Sequence, residues 1–233
     1  MTWMLHQYTH NAELVETLAQ RIVEALLDAI DERDRASLAV SGGSTPVSLF
    51  QALSGIDIPW SKVVVTLVDE RWVAEDHPDS NAQLVRRHLL CGYAAKARFV
   101  GLKTDASDPA LAITDVEAKL RSKVLPLDVV VLGMGEDGHT ASFFPQAQGL
   151  SEALESEQRI CCSIIPPIAP HPRMTLSLSA LLGARQLFLH FIGAKKRRIF
   201  EAAKEPGLVS ELPVRAVLNQ SEVVIEIFYA EQD

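Results

Sequence analysis

Residues 127–145 constrain the fold of this chain more than any other stretch. They read Leu127-Asp128-Val129-Val130-Val131-Leu132-Gly133-Met134-Gly135-Glu136-Asp137-Gly138-His139-Thr140-Ala141-Ser142-Phe143-Phe144-Pro145. The first part is an apolar, β-branched run, the pattern of a strand covered on both faces. The second part is a loop with three glycines, two carboxylates and one histidine. Sheets of such strands bind ligands where the loops leave their carboxyl ends. The glycines let the loop backbone turn tightly and approach a ligand closely. Asp137 and His139 flank Gly138, close enough to act on one substrate.

The spacing Gly133-x-Gly135-x-x-Gly138 also fits a dinucleotide-binding turn, but its surroundings do not. That turn runs straight into a long helix, whereas Pro145 interrupts seven residues after Gly138. No second strand with a terminal acid follows at the ribose distance, and Glu136, Asp137 and His139 stand where a pyrophosphate would lie. A plain strand-to-helix turn with a surface histidine is the other alternative. The clustered glycines and the sheet-end position count against it.

Strand and helix patterns alternate around this stretch. Leu14, Leu18, Ile22, Leu26 and Ile30 recur at helical spacing over 11–32, with Asn11 as the N-cap. Ala36–Val40 reads as a short strand ending in Ser41-Gly42-Gly43-Ser44-Thr45-Pro46, with Thr45 at an N-cap and Pro46 at the first helical position. Free N–H groups at such a terminus bind anions, phosphate among them. The loop lacks the Lys-Ser/Thr ending of an ATP-binding P-loop, and a plain capped turn is the bland alternative. Residues 63–68 form another buried strand, followed by Asp69-Glu70-Arg71, where a surface Glu70–Arg71 ion pair is the simple alternative. His77 to Asn81 reads as a turn and cap for a helix to about 90. Further strands are expected over 98–102, 159–165, 173–178, 186–192 and 223–228. Helices are expected over 108–124, 150–157, 180–182 (capped by Ser179), 193–204 and 213–218. Such alternation predicts right-handed crossovers and a parallel sheet. The expected fold is therefore a single three-layer α/β/α domain over residues 1–233. Its sheet is mostly parallel and Rossmann-like, with a small irregular, antiparallel insertion near 145–180.

Composition narrows the partners. A net charge of −8 disfavours nucleic acid without a local basic stripe. No run reaches membrane-spanning length and the start shows no basic-then-apolar signal, so a cytoplasmic protein is expected. Cys91, Cys161 and Cys162 have neither disulfide-framework nor zinc spacing. The expected partner is a small molecule, with no nucleic acid or membrane, and the chain is expected as a monomer or small homo-oligomer.

Together, the expected sheet-end loops 41–46, 69–73, 133–140 and 193–197, with Arg173 opening a fifth, suit a small phosphorylated molecule whose reacting end faces His139. Here a family resemblance becomes specific. Ser-Gly-Gly-Ser-Thr-Pro at 41–46, Asp-Glu-Arg at 69–71, Ser-Asn at 80–81 and Gly-Met-Gly-Glu-Asp-Gly-His-Thr-Ala-Ser at 133–142 resemble the 6-phosphogluconolactonases, as do Pro172 to Thr175 and Gly193 to Lys196. The matches keep family order over about 36–200. The resemblance implies hydrolysis of 6-phospho-D-glucono-1,5-lactone to 6-phosphogluconate in the oxidative pentose phosphate pathway, with no cofactor and no metal. Glucosamine-6-phosphate deaminases share the Asp-Gly-His loop but place a glutamate before its proline, where this chain has Phe144. The missing carboxylate favours the lactonase. A sugar-phosphate-binding regulator without turnover is the alternative from another class, and the intact His139 argues against it.

The residues suit that chemistry. Water attacking an ester carbonyl needs a base, and His139 is the candidate, with Asp137 fixing its tautomer or orienting the water. Backbone N–H groups of the glycine loop are candidates for the oxyanion. Gly42, Gly43, Ser44 and Thr45 are expected to hold the phosphate with Arg71, Arg173 and Lys195, though only register separates Lys195 from Lys196. Guanidinium forks match phosphate bidentately. Asp69 is the candidate for sugar hydroxyls. No Gly-x-Ser-x-Gly is present, which disfavours an acyl-enzyme.

Overall fold

In the computed structural model, residues 3–232 are described. In chain order the first half comprises β1 (Trp3–His10), α1 (Asn11–Arg33), β2 (Ala36–Val40), α2 (Val47–Ser54), β3 (Val63–Leu67), β4 (Asp69–Arg71), α3 (Asn81–His88), β5 (Arg98–Val100) and α4 (Pro109–Lys123). The second half comprises β6 (Val129–Gly133), α5 (Leu150–Glu155), β7 (Cys161–Ile164), β8 (Arg173–Leu176), α6 (Leu178–Leu182), β9 (Gln186–Ile192), α7 (Ala194–Lys204), α8 (Val214–Leu218) and β10 (Ile225–Gln232). Among these described residues no helix is long and apolar enough to cross a membrane.

Seven strands form one sheet in the order β1-β10-β9-β6-β2-β3-β5, and every pairing is parallel. Every residue of β2 and β3 is buried, as a strand covered on both faces requires. Helices flank the sheet. Helix α1 turns Leu14, Leu18, Ile22, Leu26 and Ile30 into one continuous core with the strands.

The order of the strands positions the site. From β2 the chain winds outward through β3 to β5. It then returns across the sheet to β6 and winds the other way through β9 to β10. Neighbours β2 and β6 thus send their crossovers in opposite directions, which opens a crevice over their carboxyl ends. A second sheet, β4-β8-β7, is antiparallel and stands beside that crevice. It is joined to the main sheet end to end. Val68 donates its N–H to Val40 at 3.0 Å, and Leu176 donates to Val68 at 2.8 Å.

Several sequence expectations need correction. β1 was not foreseen; it adds a parallel edge strand to β10 and runs directly into α1 with no turn residue between. The small sheet falls in the expected insertion but recruits β4 from far earlier in the chain. Three helices start away from their expected caps. Asn11 lies inside α1, with Nδ2 donated to Ser48 Oγ. Pro46, not Thr45, occupies the N-cap of α2, because the Ser44 carbonyl first closes a turn onto Val47 N. Ser177, not Ser179, caps α6 by accepting from Ala180 N. Cys161 and Cys162 are buried in β7, and burial pushes both thiols up to about 12, which fits packing rather than reactivity.

Asp128 fastens the amino ends of β2 and β6. It accepts from Ser37 N at 2.8 Å and pairs with Arg33 while only 3% exposed. Asp128→Ala leaves a buried N–H without its acceptor. Each hydrogen bond to a charged group contributes about 1.5–3 kcal/mol. Urea denaturation at pH 7 should therefore show a loss of about that size, with an unchanged m-value.

Candidate active site

Ser41 bridges the two strands at the switch point. Its N–H donates to Val131 O at 3.0 Å, and its Oγ accepts from Gly133 N at 3.1 Å. Over this bridge lies a cavity of about 360 Å³, lined by residues 41–46 after β2 and 133–135 after β6, with Asp69, Arg71, Asn81, His139, Ala141, Phe144, Ala169, Arg173 and Lys196.

Strand periodicity sorts the Asp69-Glu70-Arg71 triplet, since successive side chains leave opposite faces. Asp69 and Arg71 line the cavity. Glu70 points away, is 1% exposed, and accepts the N–H groups of Asn81 and Ala82 at 2.8 Å each. It caps the positive end of α3. Burial raises the Glu70 pKa, and the backbone N–H groups it accepts from oppose that shift. A surface Glu70–Arg71 ion pair is therefore excluded.

Arg71 stands directly opposite Arg173 in the β4–β8 ladder. Like charges in that position are unfavourable without a counter-charge. Arg173 is 5% exposed and is held by carbonyls alone, His171 O at 3.3 Å and Pro170 O at 3.1 Å. Arg71 donates to Asp79 O at 2.5 Å. Burial lowers the Arg173 pKa, the charge of Arg71 adds to that, and Asp69 opposes it. An anion in the cavity would relieve both guanidinium groups.

The glycine loop is folded on itself. Gly138 takes a φ of +79°, its N–H donates to Gly135 O, and Gly135 N donates to His139 O at 2.9 Å. A Cβ on Gly135 would lie 2.2 Å from the His139 ring, so only glycine lets the ring stand there. Nδ1 of His139 lies 2.5 Å from Asp137 Oδ1. Burial opposes the Asp137 charge, but the hydrogen bond to His139 and the histidine's own charge hold that carboxyl below the ordinary range. With Nδ1–H directed at Asp137, Nε2 is left as the basic nitrogen. The His139 ring packs against Phe144 with centroids 4.3 Å apart and planes tilted by 31°, and the Arg173 guanidinium lies 5.4 Å from the Phe144 centroid. Within this loop the N–H groups of Gly133, Gly135 and Gly138 are spent within the protein, so these three do not serve as oxyanion donors.

The 42–45 turn differs. Among the described residues, none of its four N–H groups donates to a backbone acceptor outside regular elements. A Cβ on Gly42 would fall 1.8 Å from Asn81 Oδ1. Asn81 in turn donates to Asp69 O at 2.9 Å, and Asp69 Oδ2 accepts from Ser142 Oγ at 2.6 Å. Lys196 donates to Thr45 Oγ1 at 3.3 Å.

Gly42, Gly43, Ser44, Thr45, Asp69, Arg71, His139 and Arg173 thus line one cavity, with Asp137 behind His139. Lys195 does not join them. Its side chain is 72% exposed and faces Glu136 at 3.7 Å, while its neighbour Lys196 lines the cavity. The physical reason is helical phase: Lys196 lies one turn before buried Phe200 in α7, on the inward face. Asn81 and Phe144 were not foreseen as lining residues. The Ser-Asn pair at 80–81 belongs to the family resemblance and could have marked Asn81, whereas Phe144 stands out in the sequence only for the carboxylate it lacks.

The family described as glucosamine-6-phosphate isomerases/6-phosphogluconolactonase matches residues 9–225. A 6-phosphogluconolactonase of Mesorhizobium japonicum is 48% identical over 219 residues, 94% of this chain and 91% of that protein. One from Pseudomonas aeruginosa is 44% identical over 209 residues, covering 89% and 88% of the two. The crystal structure of a 6-phosphogluconolactonase from Shewanella baltica superposes with a TM-score of 0.95 at 44% identity, covering 97% of each chain. The chain therefore belongs to the glucosamine-6-phosphate isomerase/6-phosphogluconolactonase family.

Proposed function

We propose that this cavity hydrolyses 6-phospho-D-glucono-1,5-lactone to 6-phospho-D-gluconate, the lactonase step of the oxidative pentose phosphate pathway, by general-base activation of water. One observation carries the reading. The His139–Asp137 pair and the Arg71–Arg173 pair share one cavity, with the Phe144 ring between His139 and Arg173. The relatives that match nearly the whole chain are named for this activity. Residues 1–233 act as one catalytic domain in this reading, in the cytoplasm, as a monomer or small homo-oligomer.

The phosphate sits over the N–H groups of the 42–45 turn, with Ser44, Thr45, Arg173 and Lys196 around it and Arg71 beside them. Lys196 replaces Lys195 because it is the lysine on the cavity wall. Asp69, anchored by Ser142, faces the sugar hydroxyls. At the other end, Nε2 of His139 takes a proton from water as its oxygen bonds to the lactone carbonyl carbon. Asp137 holds the tautomer and stabilises the imidazolium that forms. When the tetrahedral intermediate collapses, the ring C–O bond breaks and His139 returns the proton to the departing oxygen. No step needs a metal or a cofactor. The aminosugar reading is not favoured, because Phe144 occupies the wall where amine loss would need a further carboxylate.

Two outcomes are expected. His139→Ala should lower kcat by at least about 100-fold, since a general base contributes roughly 10²–10⁴-fold, with little change in KM. Asp137→Asn should be milder; a loss as large as that of the histidine variant would give Asp137 the chemistry itself. Steady-state kinetics on freshly made lactone decides both.

A third outcome concerns the phosphate. Arg173→Ala should reduce kcat/KM for the phosphorylated lactone by roughly 10–100-fold, since a charge-assisted contact contributes about 1.5–3 kcal/mol. Glucono-1,5-lactone without phosphate should be a poor substrate, and this variant should barely alter it. Equal losses on both substrates would move the anion site elsewhere.

A further inference from the structure

Beside the cavity, three side chains from two separate segments converge. His77 and Asp79 belong to the turn before α3, and His171 to the loop before β8. One ring nitrogen of each histidine and one Asp79 oxygen all lie within 4.8 Å of one another. His171 Nε2 is 3.0 Å and His77 Nδ1 3.9 Å from the same atom, Asp79 Oδ2. None of the three lines the catalytic cavity. We propose that His77, Asp79 and His171 form a zinc site at the cavity rim, separate from the reacting groups.

The donor chemistry selects the ion. Two imidazoles and one carboxylate suit zinc and its transition-metal neighbours rather than calcium or magnesium, which prefer oxygen alone. Ligand atoms of a tetrahedral site with bonds of about 2.0–2.1 Å stand about 3.3–3.5 Å apart. The Asp79–His171 distance of 3.0 Å is about 0.3 Å shorter than that span, and the Asp79–His77 distance of 3.9 Å exceeds it by about half an ångström. The three side chains are 29% to 50% exposed, free to close the remaining gap by rotation.

Two features oppose tight binding. His77 Nδ1 accepts the Asp79 N–H at 3.1 Å, and Arg71 brings a positive charge to the Asp79 carbonyl. The site is thus an open, three-ligand one completed by water, not a closed structural centre. Its consequence lies in the backbone. Asp79 O holds Arg71, while His171 O and Pro170 O hold Arg173. Zinc would clip together the two segments that carry the guanidinium groups without touching the lactone.

The test uses the full chain, stripped with chelator, dialysed, and titrated with zinc chloride by calorimetry. One equivalent should bind per chain and raise Tm. His77→Gln and His171→Asn should each weaken binding by at least about tenfold, no less than the loss of an outer-shell partner. Asparagine tolerates the φ of +67° at position 171. Melting without zinc establishes that each variant is folded; should one fail, the other carries the test. Zinc binding by the double variant equal to that of the natural chain would place the metal elsewhere and overturn the proposal. No binding by the natural chain would leave a hydrogen-bonded rim cluster only, and would overturn it equally.

Discussion

Two hydrogen bonds made by Ser41 across the gap between β2 and β6 are the constraint on which the site depends. They pin the loop after β2 beside the loop after β6, at the one place where neighbouring strands send their crossovers in opposite directions. Gly43 and Gly133 are 90 positions apart in sequence; the parallel pairing of β2 with β6 brings their loops together, and the Ser41 bonds carry that pairing into the loops themselves. The third wall is fixed by the same kind of bond. Val40, Val68 and Leu176 are linked carbonyl to amide, which carries the small antiparallel sheet and its two arginines into register with the turn.

Charge and apolar surface then divide the cavity. The chain is net negative, at −8, yet Arg71, Arg173 and Lys196 converge on one cavity with Asp69 as the lining carboxylate. Local placement, not overall charge, sets what this surface attracts. Phe144 touches both His139 and Arg173. Its ring contacts His139 at 4.3 Å and lies 5.4 Å from the Arg173 guanidinium. A carboxylate at that position would bring a second titrating group beside His139. The wall residue therefore suits a reaction that needs a single activated water.

Much of this was legible in the sequence because it rests on local patterns. The buried run before Gly133, the glycine turn after Val40 and the alternation of strands with helices fix the parallel sheet and its loaded edge. The period of two in Asp69-Glu70-Arg71 would have sorted cavity residues from the helix-capping Glu70 had the triplet been read as a strand. Three charged residues have little strand propensity, and β4 exists because β8 pairs with it. β1 was hidden for a related reason: its burial follows no clean alternation at the sheet edge. Lys196 was missed by one residue. Helical phase from Phe200 carries that information, whereas the motif alone does not. The rim cluster of His77, Asp79 and His171 joins positions 92 residues apart, which only the small sheet brings together.

The central claim is that this cavity turns over a phosphorylated lactone. The most direct measurement is proton release at constant pH from freshly prepared 6-phospho-D-glucono-1,5-lactone, followed with and without the purified chain. The lactone also opens spontaneously, so the comparison is the rate above that background. We expect an added rate that is proportional to enzyme and saturates with substrate. A rate indistinguishable from the spontaneous one, from protein that is folded by circular dichroism, would contradict the assignment and leave a sugar-phosphate-binding protein without turnover.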